Sequence, residues 1–142
     1  MEIQVTFDAV DPERLADFWE YALRYRRDDP PDGYTSWTEF LAVRGVAEED
    51  WNNVDAIVPK DGAGPRIFFQ KVPEPKAGKN RVHLDISVAD GFVGDTFMSL
   101  LESRADELEE RGATRLKRFE ADSINKGWIV MADPEGNEFC LV

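Results

Sequence analysis

In the stretch RVHLDISVAD, residues 81–90, apolar and polar side chains alternate strictly from Arg81 to Val88. Val82, Leu84, Ile86 and Val88 fall on one face of an extended chain, and Arg81, His83, Asp85 and Ser87 on the other. A half-buried strand is predicted there, ending at Asp90, which is expected to cap the helix that follows. An amphipathic helix is predicted next, near Thr96 to Arg111, with Phe97, Leu101, Ala105 and Leu108 in line and Gly112 as its stop. The N-terminus has the same plan. In EIQVTFDAV, residues 2–10, Ile3, Val5 and Phe7 alternate with Gln4, Thr6 and Asp8. Asp11 then reads as a helix N-cap and Pro12 as the first helical residue, followed by the stripe Leu15, Phe18, Trp19, Ala22 and Leu23. Gln4 stands seven residues before Asp11, and His83 stands seven before Asp90. That shared spacing marks an internal duplication.

Each half closes in strands. The first has DAIV (55–58) and RIFFQKV (66–72); the second has ATRLKRF (113–119), GWIVM (127–131) and EFCLV (138–142). The expected architecture is α+β, a single domain over 1–142 made of two pseudo-symmetric β-α-β-β-β modules. Module one spans about 1–72 and module two about 81–142, with a polar, proline-bearing linker at 73–80. An insertion at about 30–54 breaks the symmetry. It carries a capping box, Ser36 to Glu39, ahead of a short helix. A further helical turn is expected near Glu48 to Trp51, and Trp37, Phe40 and Trp51 suggest a segment that packs down.

Composition narrows the partners. Seventeen basic residues against twenty-nine acidic ones give a net charge of −12. Such a charge repels phosphate backbones and anionic membranes, so neither nucleic acid nor a membrane is expected as a partner. No apolar run approaches a membrane-spanning length, and the N-terminus lacks the basic flank of a signal peptide. The single cysteine cannot form an intrachain disulfide. A cytoplasmic location is the expectation.

Paired β-α-β-β-β modules of this kind resemble the vicinal oxygen chelate superfamily of glyoxalases, bleomycin-resistance proteins and dioxygenases. More narrowly, DPERLADFW (11–19), SWTEFL (36–41), FFQKVPEPK (68–76), KNRVHLDI (79–86) and VMADPEGNEFCLV (130–142) resemble actinobacterial glyoxalase-like domains. The likeness runs over essentially the whole chain. It implies that each module curls its mixed sheet into half of a cup, with helices outside, and that metal ligands come from the first and last strand of each module. By position those ligands fall on Gln4 and His83, on Cys140, four residues after the glycine of the DP-x-G turn, and on Gln70, with two residues of slack in register. A shift of two keeps the same face. The terminal hairpin then becomes the last wall of the cup, with Cys140 and Glu138 pointing inward.

The side chains at those positions restrict the chemistry. Iron-dependent extradiol cleavage uses two histidines and a carboxylate, and this chain has one histidine. The fosfomycin-type site likewise wants two histidines and a glutamate. Glyoxalase chemistry needs last-strand carboxylates, and here Gln70 and Cys140 take their places. No cofactor is therefore expected; zinc, nickel or iron would have only Gln4, Gln70, His83 and Cys140 as ligands. The expected function is metal-independent binding or sequestration of a small molecule, in a pocket lined by Gln4, Thr6, Phe68, Gln70, His83 and Cys140. The alternative is a lyase or isomerase that moves protons with His83 and either Asp85 or Glu138. Cys140 reads as a small buried hydrophobe, since no base is placed beside it. Trp37, Trp51, Phe68 and Trp128 could stack a planar ligand or serve as core. Relatives commonly pair, so a homodimer is expected.

Overall fold

The computed structural model describes residues 1–142. The chain divides into two compact units, Met1–Pro75 and Lys76–Val142. Both are built on the same plan, a four-stranded mixed sheet with a helix after its first strand.

In the first unit the order of elements is β1 (Gln4–Ala9), α1 (Pro12–Leu23), β2 (Arg26–Arg27), α2 (Trp37–Val43), a 3-10 segment at Glu48–Asn53, β3 (Val54–Val58) and β4 (Arg66–Lys71). The sheet runs β1-β4-β3-β2, with β1 parallel to β4 and the other pairs antiparallel. Helix α1 starts as its sequence dictates: the Asp11 carboxylate accepts the Arg14 N–H at 3.2 Å, and Pro12 holds the first position. Leu15, Phe18, Trp19 and Ala22 are buried along one stripe. They meet Ile57, Ile67 and Phe69 of the sheet, and Phe7 bridges the layers by packing on Trp19 and Phe69. Helix α1 ends at Arg24, a non-glycine residue at φ 56° in the left-handed region. The two-residue strand β2 has no periodic signal of its own, and the sequence pattern did not reveal it.

The second unit runs β5 (Asp85–Ile86), α3 (Gly94–Glu109), β6 (Thr114–Phe119), β7 (Trp128–Ala132) and β8 (Glu138–Leu141). Its sheet order, β5-β8-β7-β6, with β5 parallel to β8, repeats that of the first unit. Phe97, Leu101, Ala105 and Leu108 of α3 are buried, as are Ile129 and Met131 of β7 and Phe139 and Leu141 of β8. The opposite faces of these strands are left for the site. Helix α3 stops through paired bonds, Ala113 N–H to Leu108 O and Gly112 N–H to Glu109 O, with Gly112 at φ 99°.

Three expectations need correction. Asp90 does not cap α3. The helix begins at Gly94 after a turn with Gly91 at φ 83°, Val93 occupies the cap without a side-chain bond, and Asp90 instead accepts from the Ser87 hydroxyl. The strand read over 81–90 is also shorter. Its ladder bonds run only from Leu84 O to Val88 N, because upstream the Asn80 side chain takes the Glu138 carbonyl that a longer strand would have bonded. Val82 is accordingly 83% exposed and contributes no packing, while Leu84 is half-buried. The insertion, finally, packs shallowly. Its capping box forms, with Ser36 Oγ accepting from Glu39 N–H and Glu39 accepting from Thr35, yet α2 buries no residue fully. Tyr34, Trp37 and Phe40 cluster edge to face, and the Trp37 indole N–H donates to Asp28 O.

Candidate functional site

Strand periodicity places the site. Asp85 of β5 lies opposite Cys140 of β8, so the two side chains share the face away from α3, and His83, two residues before Asp85, joins them. His83 Nδ1 lies 3.9 Å from Cys140 Sγ and 3.6 Å from an Asp85 carboxylate oxygen. The three donor atoms all fall within 4.8 Å of one another. They form one wall of an open cavity of about 610 Å³, lined wholly by residues of the second unit. Phe97, Lys126 and Trp128 are also in its walls. Trp128 is stacked on Phe119 at 4.4 Å, and the Lys126 ammonium stands over the Phe97 ring at 5.8 Å.

Cys140 is only 6% exposed, and burial together with the neighbouring Asp85 carboxylate pushes its thiol up to about 11, against a smaller opposing pull from Lys79. At neutral pH the group is a thiol. It is a hydrogen-bonding wall and a latent ligand rather than an activated nucleophile. His83 and Asp85, with side chains 41% and 57% exposed, remain open to whatever fills the cavity.

Glu138 sits on the same face of β8 but is occupied elsewhere. It accepts from the Asn80 N–H at 3.0 Å and pairs with Lys76 at 3.2 Å, and these contacts, the Asn80 bond first, hold its carboxyl below the usual range. It is absent from the cavity wall. The first-module residues lie together on the corresponding face of their own sheet. Gln4 accepts from Arg66 at 2.7 Å, Gln70 donates to Asp8 at 2.8 Å, and Phe68 lies under the Arg66 guanidinium. Register refines one equivalence: Thr6 pairs with Phe68 as Asp85 pairs with Cys140, so Phe68 rather than Gln70 occupies the Cys140 position of module one. Lys126 escaped sequence reasoning because a lone lysine in a polar loop carries no periodic signal. The adjacent Gly127, at φ 92°, marks the turn that delivers it.

The family model described as "Glyoxalase-like domain" matches residues 4–142. The chain belongs to the glyoxalase-like domain family, within the vicinal oxygen chelate superfamily. Solved structures share the fold at low identity. The fosfomycin resistance protein FosX from Mesorhizobium loti aligns with TM-score 0.62 and 14% identity, covering 99% of this chain and 89% of its own. A mutant of FosX from Listeria monocytogenes, complexed with Mn(II) and 1S,2S-dihydroxypropylphosphonic acid, aligns with TM-score 0.62 and 10% identity over 97% of this chain and 85% of its own. A possible glyoxalase from Bacillus cereus aligns with TM-score 0.61 and 11% identity over 100% and 97%. No curated protein matches the sequence.

The resemblance implies metal ligands on these strands, which raises the question of what this donor set could hold. Ideal zinc bonds place tetrahedral nitrogen, oxygen and sulfur donors about 3.4–3.6 Å apart. The 3.6 Å and 3.9 Å separations around His83 Nδ1 are close to that. With all three donor atoms within 4.8 Å of one another, His83, Asp85 and Cys140 could close on a divalent ion through small side-chain shifts. Gln4 and Gln70, neutral amides already bonded to Arg66 and Asp8, do not fit one.

Proposed function

We propose that this glyoxalase-like protein binds a small organic molecule in the second-unit cavity and acts by holding it. The supporting observation is the convergence of His83, Asp85 and Lys126 with the Trp128 face around one space of about 610 Å³, a volume that suits a metabolite-sized ligand. Lys126 offers an ammonium, Asp85 a carboxylate and His83 a ring nitrogen, so a ligand with both anionic and hydrogen-bonding groups would be complemented. Thermal-shift screening against a metabolite library tests the reading. Hits should lose most of their shift in Lys126→Ala and Asp85→Asn, and hits indifferent to both variants would refute it.

One observation favours the enzymatic alternative of a lyase or isomerase. Asp85 lies beside Nδ1 of His83, which leaves Nε2 free to exchange a proton with a bound substrate. Glu138 is less suited, being held by Asn80 and Lys76. Following each hit by NMR separates the two: unchanged ligand supports binding, and conversion abolished by His83→Ala supports catalysis.

A homodimer in the cytoplasm belongs to the same reading. No helix is long and apolar enough to cross a membrane. Trp37, Val43 and Val54 in and beside the insertion are 39%, 66% and 51% exposed, apolar surface that a second copy could cover. Sedimentation at tens of micromolar tests it, and a monomer near 16.2 kDa would count against it.

A further inference from the structure

We propose that the second unit carries a self-contained zinc site, in which His83 Nδ1, an Asp85 carboxylate oxygen and Cys140 Sγ hold one divalent ion at the cavity wall. The resemblance implies ligands shared between both modules. Here all three donors come from one strand pair, and this arrangement goes beyond the small-molecule reading above.

Local geometry builds it. A histidine and an aspartate two residues apart on one strand must face the same way, and the parallel register sets Cys140 directly opposite Asp85. The side-chain polar contacts of these three residues are with one another: His83 with Cys140 and His83 with Asp85. Gln4, Gln70 and Glu138 are each committed to a neighbouring side chain or backbone group instead. The cluster is thus the uncommitted donor set in its unit's cavity, and its atoms lie within 4.8 Å of one another.

Ligand chemistry selects the ion. A thiolate and an imidazole favour zinc over manganese or magnesium, which prefer oxygen. Three protein donors leave a fourth position for water or a ligand atom, the pattern of open rather than closed zinc sites. Binding must displace the thiol proton into solvent, so one proton is released for each ion bound.

The test uses metal alone, on protein stripped with chelator and freed of it. Cobalt(II) should bind one per chain and produce a thiolate-to-cobalt charge-transfer band in the near ultraviolet, which zinc then removes by displacement. Cys140→Ser should abolish the band. Asp85→Asn, at an exposed position that leaves the fold intact, should weaken binding by at least about tenfold. Gln4→Ala and Gln70→Ala should change affinity less than about twofold. A Kd above about 1 mM, cobalt bound without the thiolate band, or equal weakening by the glutamine variants would each overturn the site. No organic ligand is present in this experiment, so its failure leaves the small-molecule pocket to be judged separately.

Discussion

Asn52 clamps the start of helix α1 from forty residues away. Its Nδ2 donates to the Asp11 carboxylate at 2.8 Å, and its Oδ1 accepts the Glu13 N–H at 2.8 Å. The insertion thereby completes the cap that Asp11 began, and the Asn52 bond is the chief cause holding the Asp11 carboxyl below its ordinary range. Asn52→Ala should cost about 1–2 kcal/mol, since it strips a cap of two bonds. Asp11→Ala should cost a similar amount, and the double variant less than the sum, as shared partners require. Urea melts of the three variants measure this; strict additivity would show that the two residues act independently.

Gly127 is required by space as well as by backbone conformation. A Cβ there would lie 2.6 Å from Met98 Sδ and 2.9 Å from the Phe119 carbonyl, at φ 92°. Gly91 shares a positive φ of 83° but has nothing within 4 Å. Gly91→Ala should therefore cost about 1 kcal/mol, the backbone penalty alone. Gly127→Ala should cost at least about 2 kcal/mol and shift the Lys126–Trp128 segment that walls the cavity. Equal melting midpoints for the two variants would show that the Met98 contact relaxes freely.

The alternating faces of β1, β4 and β8 and the stripes of α1 and α3 were legible because burial on one side imposes period two or period 3.6. The same period of two located both first strands, whereas the seven-residue spacing to Asp11 and Asp90 did not carry over to the helix starts, since only Asp11 caps its helix. What stayed hidden depends on bonds that no period encodes. The Asn80 amide that shortens β5, the Ser87 hydroxyl that takes Asp90 away from the start of α3, and the Lys76 partner that removes Glu138 from the cavity are all single long-range or turn contacts. His83, Asp85 and Cys140 were each singled out from sequence. Only the β5–β8 register joins them into one donor set.

Ionisation of Asp55 should cost stability at neutral pH. Burial raises its carboxyl pKa above 3.8, an effect that outweighs the attraction of Arg27 at 3.3 Å. A carboxyl with a raised folded pKa binds its proton more tightly in the native state, so stability falls as pH rises from 3.8 through the folded value. Arg27 keeps Asp17 and Glu20 as partners without it. Asp55→Asn should therefore be neutral or stabilising at pH 7, with its advantage over the parent vanishing below about pH 3.8. A variant less stable at pH 7 than the parent would show that the Arg27 pair outweighs desolvation.

His83→Ala should barely affect folding. The imidazole side chain is 41% exposed and its contacts are a weak sulfur bond and a long ion pair. A loss under about 1.5 kcal/mol is expected. Leu84, only half-buried, should lose less than a fully buried leucine on truncation, whereas Leu101→Ala, at 0% exposure, should cost about 2–5 kcal/mol. Denaturant melts rank the three. His83→Ala as the most damaging would mean that the β5 faces are reversed.

Cys140 should be a slow thiol whose reactivity tracks pH without levelling off in the usual range. Alkylation requires the thiolate, and with the thiol pushed up to about 11 the fraction ionised at pH 7 is on the order of 10⁻⁴. In the metal-free protein the iodoacetamide rate should rise about tenfold per pH unit between pH 7 and 10, where an unperturbed cysteine would plateau near its ordinary value of 8.5. Asp85 contributes to that elevation by charge and by hydrogen bonding to the thiol. Removing the negative charge in Asp85→Asn should lower the thiol pKa and speed alkylation at pH 8, while Asp90→Asn, whose carboxylate is bonded to Ser87, should leave it unchanged. A parent rate that plateaus near pH 8.5 would place Cys140 outside the Asp85 field and detach it from the cavity wall.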